Sequence, residues 1–515
     1  MAMMQRDVPG SLDIVQPGAG TPEIKSTAVE RISVIAAVVL AVFYLATSLY
    51  IASQRLFWFD ELFTIHIARV PDWVAIWTAL HAGVDSLPPV YYMVVRCFGS
   101  LFGPGEVAAR MPSALAMVAG MLITFDCARR LTDGLHGLIA LSVLTCSFLL
   151  YYGYEARSYA IYFMFSALAL WIWTCTRADK KWPAVLFGAA ILLGVTFHYY
   201  AVMCLVPYAL WELICWRPGR RPSAKLVAGV IGVVLPAALL APFILSFSRK
   251  FSSGFWNRPS FGEFRAIFPQ LFPDGVLLLS LIMLWVVLAR RNDKTISLQP
   301  MAAGESVGWL FLSILVAGFV LAEVKTNAYY SRYFICVLPG VAVSFACLLW
   351  RHFRNAPRVS LGIVLLLTTW GIAKQAGAVV HPASVEPTGT RDYLQLEAPL
   401  RGEGKRFFLF SSPLLFLEAQ YYSYHPEDCI LLLPPDFTQD VDPARNSPDP
   451  YLHQRLLMSL SQYYPMQFWQ MDDISRHAPQ VALIEPTPDV LQALTKAGVK
   501  IEMHSAKGLK VAYLQ

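Results

Sequence analysis

Charge is scarce in this sequence: aspartate, glutamate, lysine and arginine make up 15% of its 515 residues, against 56% hydrophobic. A soluble domain carries about a quarter charged residues, so an apolar solvent, the bilayer, is the natural setting for most of the chain. The excess of +6 is mild, and its lysines and arginines gather in short loops between apolar runs. They are topology signals, not a nucleic-acid surface. Cysteine forms no framework: positions 97, 127, 146, 175, 204, 215, 336, 347 and 429 fall almost entirely in apolar runs, without zinc or disulfide spacing. There is no internal repeat of the kind that marks many transporters. Residues 1–31 are polar, and the uncharged run Ile32–Gln54 is too long for a signal-peptide core and lacks a small-residue cleavage site, so it is expected to be an uncleaved first span.

What is present is a series of about eleven apolar runs of roughly 15 to 23 residues. They lie near 32–53, 107–127, 135–153, 158–176, 183–198, 201–216, 225–247, 275–289, 306–323, 333–350 and 359–380. Residues 182–211 are uncharged throughout and could form one long helix. Flanking charge decides otherwise, because Arg177, Lys180 and Lys181 precede the stretch and Arg217, Arg220 and Arg221 follow it; if both clusters are cytoplasmic, the chain crosses twice. Arg129, Arg130, Arg290, Arg291, Lys294, Arg351, Arg354 and Arg358 then fall on the same, cytoplasmic side as the amino terminus. An odd number of spans puts the carboxyl-terminal part outside, with loops 54–106, 154–157, 248–274 and 324–332. The expected organisation is a cytoplasmic tail (1–31), an all-α polytopic membrane bundle (32–380) and a small extracytoplasmic α/β domain (381–515). In that last part β-rich runs at 406, 429, 480 and 499 alternate with helical stretches, with no glycine-rich phosphate loop.

The first outer loop carries the most suggestive chemistry. FWFDELFTIHIA sets Asp60 and Glu61 side by side where the chain leaves the membrane. A carboxylate there, beneath aromatic residues, is partly desolvated and suited to take a proton from an incoming hydroxyl. Taken alone, the pair could equally do no more than open a surface helix. PDWVAIWTALHAG and PPVYYMVVRCFGSLFG are too short or too polar to span and suit helices lying along the interface.

The ordered series FWFDELFTIHIA, DSLPPVYYMVVR, GEVAARMPSALAMVAG, YEARSYAIYFM, FHYYAV and SRYFICVLPGVAV resembles the C-type membrane glycosyltransferases. The nearest branch is that of the protein O-mannosyltransferases (the dolichyl-phosphate-mannose-protein mannosyltransferase family) and aminoarabinose transferases. The resemblance runs through residues 32–350. One departure is Leu87, where many relatives carry histidine before the paired prolines; a role for that histidine does not transfer, although Asp85 is retained.

The resemblance implies a polyprenyl-phosphate-linked sugar donor and an acceptor on a protein, lipid or polysaccharide. Transfer would occur at the extracytoplasmic face with inversion at the anomeric carbon. Asp60 would be the general base. Glu61 would stand beside it as the second catalytic acid; Glu61 and Glu155 could orient the acceptor or hold a divalent ion, as could Asp60 with Glu155, although two carboxylates do not establish a metal. Arg157 and Arg332, each at an outer span end beside tyrosines, would meet the lipid phosphate; the alternative for each is a headgroup anchor. His198 and, more weakly, Lys325 are further phosphate candidates, and Arg110 reads as a brace for the first loop. The stretch from Arg249 to Pro273, with Arg258 and Arg265, reads as a headgroup-level loop that could cover the donor. Asp440, Val441 and Asp442 imitate a nucleotide-sugar motif, but on the side where nucleotide sugars are not expected. The competing classes are a transporter or flippase of a lipid-linked sugar and a non-catalytic envelope scaffold.

Overall fold

The computed structural model describes residues 27–176, 181–219, 221–251, 259–273, 279–286, 301–382, 389–438 and 450–514. Arg177, Lys180, Arg220, Arg258, Arg290, Arg291, Lys294, Asp440, Val441 and Asp442 lie outside the described residues.

The apolar runs become helices. After α1 (Thr27–Gln54) come α2 (Phe59–Ala68), α3 (Trp73–His81) and α4 (Pro89–Phe102) of the first loop, then α5 (Glu106–Leu131), α6 (Gly134–Thr145), the short α7 (Leu149–Tyr152), α8 (Tyr159–Cys175) and α9 (Trp182–Phe197). A 3-10 segment, Tyr199–Leu205, runs into α10 (Val206–Ile214), followed by α11 (Ala224–Phe251), α12 (Phe261–Leu271) and α13, described over 279–286. α14 (Ala303–Leu310) and α15 (Ser313–Leu321) end in a π-helical turn at Ala322–Thr326, and Ser331–Val337 leads into α16 (Leu338–Phe353) and α17 (Pro357–Val380). Among the described residues, six helical stretches are long and apolar enough to cross a bilayer unaided: Ala28–Gln54, Glu106–Leu131, Ala224–Ser246, Ala303–Thr326, Ser331–Phe353 and Pro357–Val380. Shorter apolar helices at Gly134–Thr145, Tyr159–Cys175, Trp182–Phe197 and Tyr199–Ile214 fill the bundle between them.

Two local features explain this packing. The uncharged stretch 182–211 breaks at His198, whose extended backbone (φ −154°, ψ 122°) ends α9, so the stretch forms two segments. α9 and α11 approach closely through glycine, since a Cβ on Gly232 would stand 2.4 Å from the Gly188 carbonyl oxygen. Small residues of this kind let apolar helices pack where no hydrophobic force joins them.

Ionisable groups in the spanning helices lie near the helix ends. At one end Arg129 binds Glu30 and Asp126, and Arg351 reaches Glu305 at 2.6 Å. Lys225 caps the carbonyls of Ile172, Trp173 and Thr176 there. At the other end lie Arg55, Asp60, Glu61, Arg110, Glu155, Arg157 and Arg332. Residues 248–274, expected as an interfacial loop, contain α12 instead. Its Ile267 and Leu271 are buried and Phe264 packs on Phe319 and Tyr329 at 5.4 and 6.5 Å, while Phe261 and Phe268 stay exposed.

The C-terminal domain comprises α18 (Thr390–Gly402), β1 (Phe407–Phe410), α19 (Pro413–Tyr422), β2 (Cys429–Leu432), α20 (Leu452–Leu460), β3 (Gln467–Trp469), α21 (Met471–His477), β4 (Val481–Ile484), α22 (Pro488–Lys496), β5 (Ile501–Ala506) and β6 (Leu509–Leu514). Strand order is β3-β2-β1-β4-β6-β5, parallel through β4 and antiparallel for β6 and β5. β1, β2 and β4 are apolar along almost their whole length because helices cover both faces of a parallel sheet. The domain is seated on the first loop. Phe57 N–H donates to Tyr422 Oη (2.7 Å) and Phe59 N–H to Glu418 Oε1 (3.0 Å), while Tyr464 Oη donates to the His66 carbonyl (2.8 Å). These bonds fix the start of α2, which carries Asp60.

Candidate active site

α2 begins where α1 has left the apolar layer, and its first turn holds Asp60 and Glu61, where carboxylates favour the helix dipole. Consecutive residues on a helix point in different directions, so the two acids meet different surroundings. Glu61 is fully buried. Its carboxylate takes a two-pronged clamp from Arg110 (Nε to Oε1 2.7 Å, Nη2 to Oε2 2.6 Å) and the backbone N–H of Ala156 at 2.6 Å. Burial pushes this carboxyl up, but Arg110 outweighs it and the pKa is lowered. Arg110 also donates to the carbonyls of Ala52, Arg55 and Leu56. Glu61, expected beside Asp60 as a second catalytic acid, is thus committed to tying α1, α2, α5 and the 154–157 loop together. It has no oxygen left for proton transfer.

Asp60 remains partly open, its side chain 22% exposed. Oδ2 receives Arg332 Nη1 at 3.0 Å, Arg157 Nη1 donates to the Asp60 backbone carbonyl at 3.0 Å, and Oδ1 has no hydrogen-bond partner among the described residues. Arg157 Nη1 also reaches Asp85 Oδ2 (2.8 Å) and Thr64 Oγ1 (3.2 Å), and Tyr92 Oη donates to the same Asp85 oxygen. Burial works against the charge of Arg157, but Asp85 and Asp60 more than offset it and hold the group cationic. Arg332 lies among the rings of Tyr330, Tyr333 and Tyr159, at 4.9, 5.7 and 5.8 Å. His198 stacks on Tyr162 at 4.9 Å and accepts the Tyr200 N–H on Nδ1, which places its proton on Nε2. Burial first, then Arg157 and Arg332, drive its pKa down to about 3, so it is a neutral donor.

Three donor atoms in this cluster are buried without a partner: Arg157 Nε, Arg332 Nε and His198 Nε2. Orphaned buried donors cost about 1–3 kcal/mol each, and their concentration beside a half-open carboxylate is the arrangement an anionic ligand would complete. Asp60, Asp85, Arg157, His198 and Arg332 are brought together although they span 272 residues. Lys325 is not: it is exposed on the π-helical turn. Leu87 is buried apolar packing ahead of α4.

Glu155 lies deeper. Oε1 takes Trp58 Nε1 at 2.6 Å and Oε2 is buried without a partner. Burial, aided by the charge of Glu61, pushes its pKa up to about 8. Of this pair's oxygens, Asp60 Oδ2 is bonded to Arg332 and Glu155 Oε1 to Trp58, while Asp60 Oδ1 and Glu155 Oε2 have no hydrogen-bond partner among the described residues. Among the described residues the group with three ligand atoms close enough for a metal is His425, Glu427 and Asp428, remote in sequence on the C-terminal domain, where Asp428 pairs with Arg401 at 2.7 Å.

The Glu155 carboxyl makes stability depend on pH with a definite sign. Its folded pKa of about 8 exceeds the ordinary value of 4.5, so the folded chain binds the extra proton and stability falls as pH rises across that window. Glu155→Gln mimics the protonated form. Its melting temperature should match the parent near pH 5 and exceed it above pH 8. A constant difference across pH would assign the shift elsewhere.

Sequence reading passed over three residues here. Arg55 is buried and lies over Tyr151 and Tyr154 at 5.2 and 5.4 Å. Glu418 binds the start of α2, and the His453 ring stands 5.1 Å from that of Phe59. Arg55 was legible in principle as the first cation after a span; the other two sit in the distant tail, and nothing local marks them.

The family model for dolichyl-phosphate-mannose-protein mannosyltransferases matches residues 86–245. No curated protein matches the chain in sequence. Among solved structures, ArnT from Cupriavidus metallidurans in the apo state is similar with a TM-score of 0.58 and 14% identity, over 95% of this chain and 98% of that one. The same protein bound to undecaprenyl phosphate gives a TM-score of 0.56 and 13% identity, over 93% and 97%. The chain therefore has the ArnT-like fold: a multi-pass helical bundle with a small sheet domain near the carboxyl terminus.

Proposed function

We propose that this chain transfers a glycosyl unit from a polyprenyl-phosphate donor to an acceptor hydroxyl, at the membrane face that carries the C-terminal domain. The observation that carries this reading is the set of unpartnered donors on Arg157, Arg332 and His198 beside the half-open Asp60. Asp60 Oδ1 takes the hydroxyl proton as the acceptor oxygen bonds to the anomeric carbon. The bond from that carbon to the phosphate oxygen breaks, and its electron pair leaves with the phosphate. Arg157, Arg332 and neutral His198 stabilise that charge in a water-poor setting, where fixed donors act most strongly. A single displacement inverts the anomeric centre. The positive-inside pattern supports a cytoplasmic amino terminus, with this site on the extracytoplasmic side.

A transporter would set ionisable groups along a mid-membrane path, whereas those of the described spans gather at helix ends. The deciding experiment is mass spectrometry of envelope glycans and polyprenyl-phosphate sugars in cells lacking the chain. A missing glycan with accumulated lipid-linked sugar supports transfer, and an unchanged profile would reject it. Because charge-assisted hydrogen bonds contribute about 1.5–3 kcal/mol, Arg332→Gln should weaken binding of undecaprenyl phosphate to the purified chain by roughly tenfold or more. Unaltered affinity would remove Arg332 from the phosphate site.

A further inference from the structure

We infer that His453, delivered by α20 of the C-terminal domain, holds the acceptor hydroxyl against Asp60 on the side opposite the donor phosphate. This rests on the transferase reading above and assigns its acceptor side. The first turn of α2 is sandwiched between two bodies. From the bundle come Arg157, bonded to the Asp60 carbonyl, and Arg332, bonded to Oδ2. From the C-terminal domain come Glu418, bonded to the Phe59 N–H, and the His453 ring, edge-on to the Phe59 ring at 5.1 Å. An in-line displacement needs its nucleophile opposite the leaving group. With the phosphate on the arginine side, the acceptor must come from the domain side, where Glu418 is committed to the Phe59 N–H and Thr390 and His453 is a polar side chain without such a bond.

The chemistry of His453 suits that task. Its ring packs on that of Phe59 and feels the charge of Asp60, and its nitrogens have no hydrogen-bond partner among the described residues. Burial lowers its pKa, with Asp60 opposing the shift, so the imidazole is neutral and offers one N–H. That N–H donates to a lone pair of the acceptor oxygen, while the hydroxyl hydrogen points to Asp60 Oδ1 and is taken there as the new carbon–oxygen bond forms. The proton ends on Asp60 and the phosphate leaves with its electron pair. The C-terminal domain thereby completes the reaction centre as well as capping the bundle, and a chain carrying only the membrane part would lack an acceptor contact.

The test uses the full chain at equal membrane abundance, in cells lacking it and after purification. His453→Phe keeps an aromatic ring against Phe59 and removes both nitrogens, whereas His453→Gln retains a donor. His453→Phe should keep its melting temperature and its affinity for undecaprenyl phosphate while glycan output falls about a hundredfold, the scale of a positioned proton-handling group. His453→Gln should restore a large part of that output. Full output from His453→Phe alongside an inactive Asp60→Asn control would reduce His453 to packing and leave the transferase reading intact. Loss of undecaprenyl phosphate binding in His453→Phe would also overturn the assignment, because it would put the residue on the donor side. Full output from both His453→Phe and Asp60→Asn would remove the transferase reading itself.

Discussion

Asp60→Asn is expected to lower glycan transfer by about a hundredfold to ten-thousandfold, the range spanned by positioned general bases, without loss of the folded chain. The side chain is partly open and bonds one partner, Arg332 at 3.0 Å, so an isosteric amide leaves the packing of α2 in place. Its effect on the donor should have the opposite sign. The carboxylate competes with phosphate for Arg332, and removing its charge frees that guanidinium. Undecaprenyl phosphate should bind the purified variant at least as tightly as it binds the parent. Retained or tighter binding with lost transfer is the signature of a base. Parallel loss of both would make Asp60 a donor-binding residue, and retention of both would remove it from the chemistry.

Much of this centre was legible in the sequence because its parts lie at span ends. Hydropathy locates those ends, and flanking charge sorts them by side. Asp60, Arg157, His198 and Arg332 each sit within a few residues of such a boundary, so an order of spans implies their convergence at one end of the bundle. The different fates of Asp60 and Glu61 were not legible. Adjacent acids look alike in sequence, and what separates them is the angle between neighbouring residues on a helix, which turns one to Arg110 and the other to Arg332. The C-terminal domain yielded four of its strands as short apolar runs, while β3 (Gln467–Trp469) and β6 (Leu509–Leu514) are too mixed to stand out. Glu418 and His453 were opaque for a different reason. They reach α2 through an α/β domain whose docking depends on contacts across more than 350 residues, such as Phe59 with Glu418, and no local pattern encodes such a distance.

Glu61→Ala should be the most damaging substitution for stability. Truncating one partner of a buried ion pair leaves the other charged and uncompensated, at a cost of about 3–5 kcal/mol. Here Arg110 would also lose two of its five hydrogen bonds, and the Ala156 N–H its acceptor. A lowered melting temperature and weakened yield from the membrane are expected, both below those of Asp60→Asn. Glu61→Gln preserves shape and one acceptor oxygen, so it should be milder but still destabilised, because Arg110 keeps its charge. The pH dependence has the reverse sign to that of Glu155. The Glu61 carboxyl is held below its ordinary value of 4.5, so its contribution is fully present above that pH and is lost as pH falls through the lowered folded value. The gap in melting temperature between the parent and Glu61→Gln should therefore narrow on acidification, while that between the parent and Glu155→Gln widens toward alkaline pH. If Glu61→Ala melted like the parent yet transferred no sugar, the carboxylate would be chemical and not structural, and the division of labour between the two adjacent acids would have to be reversed.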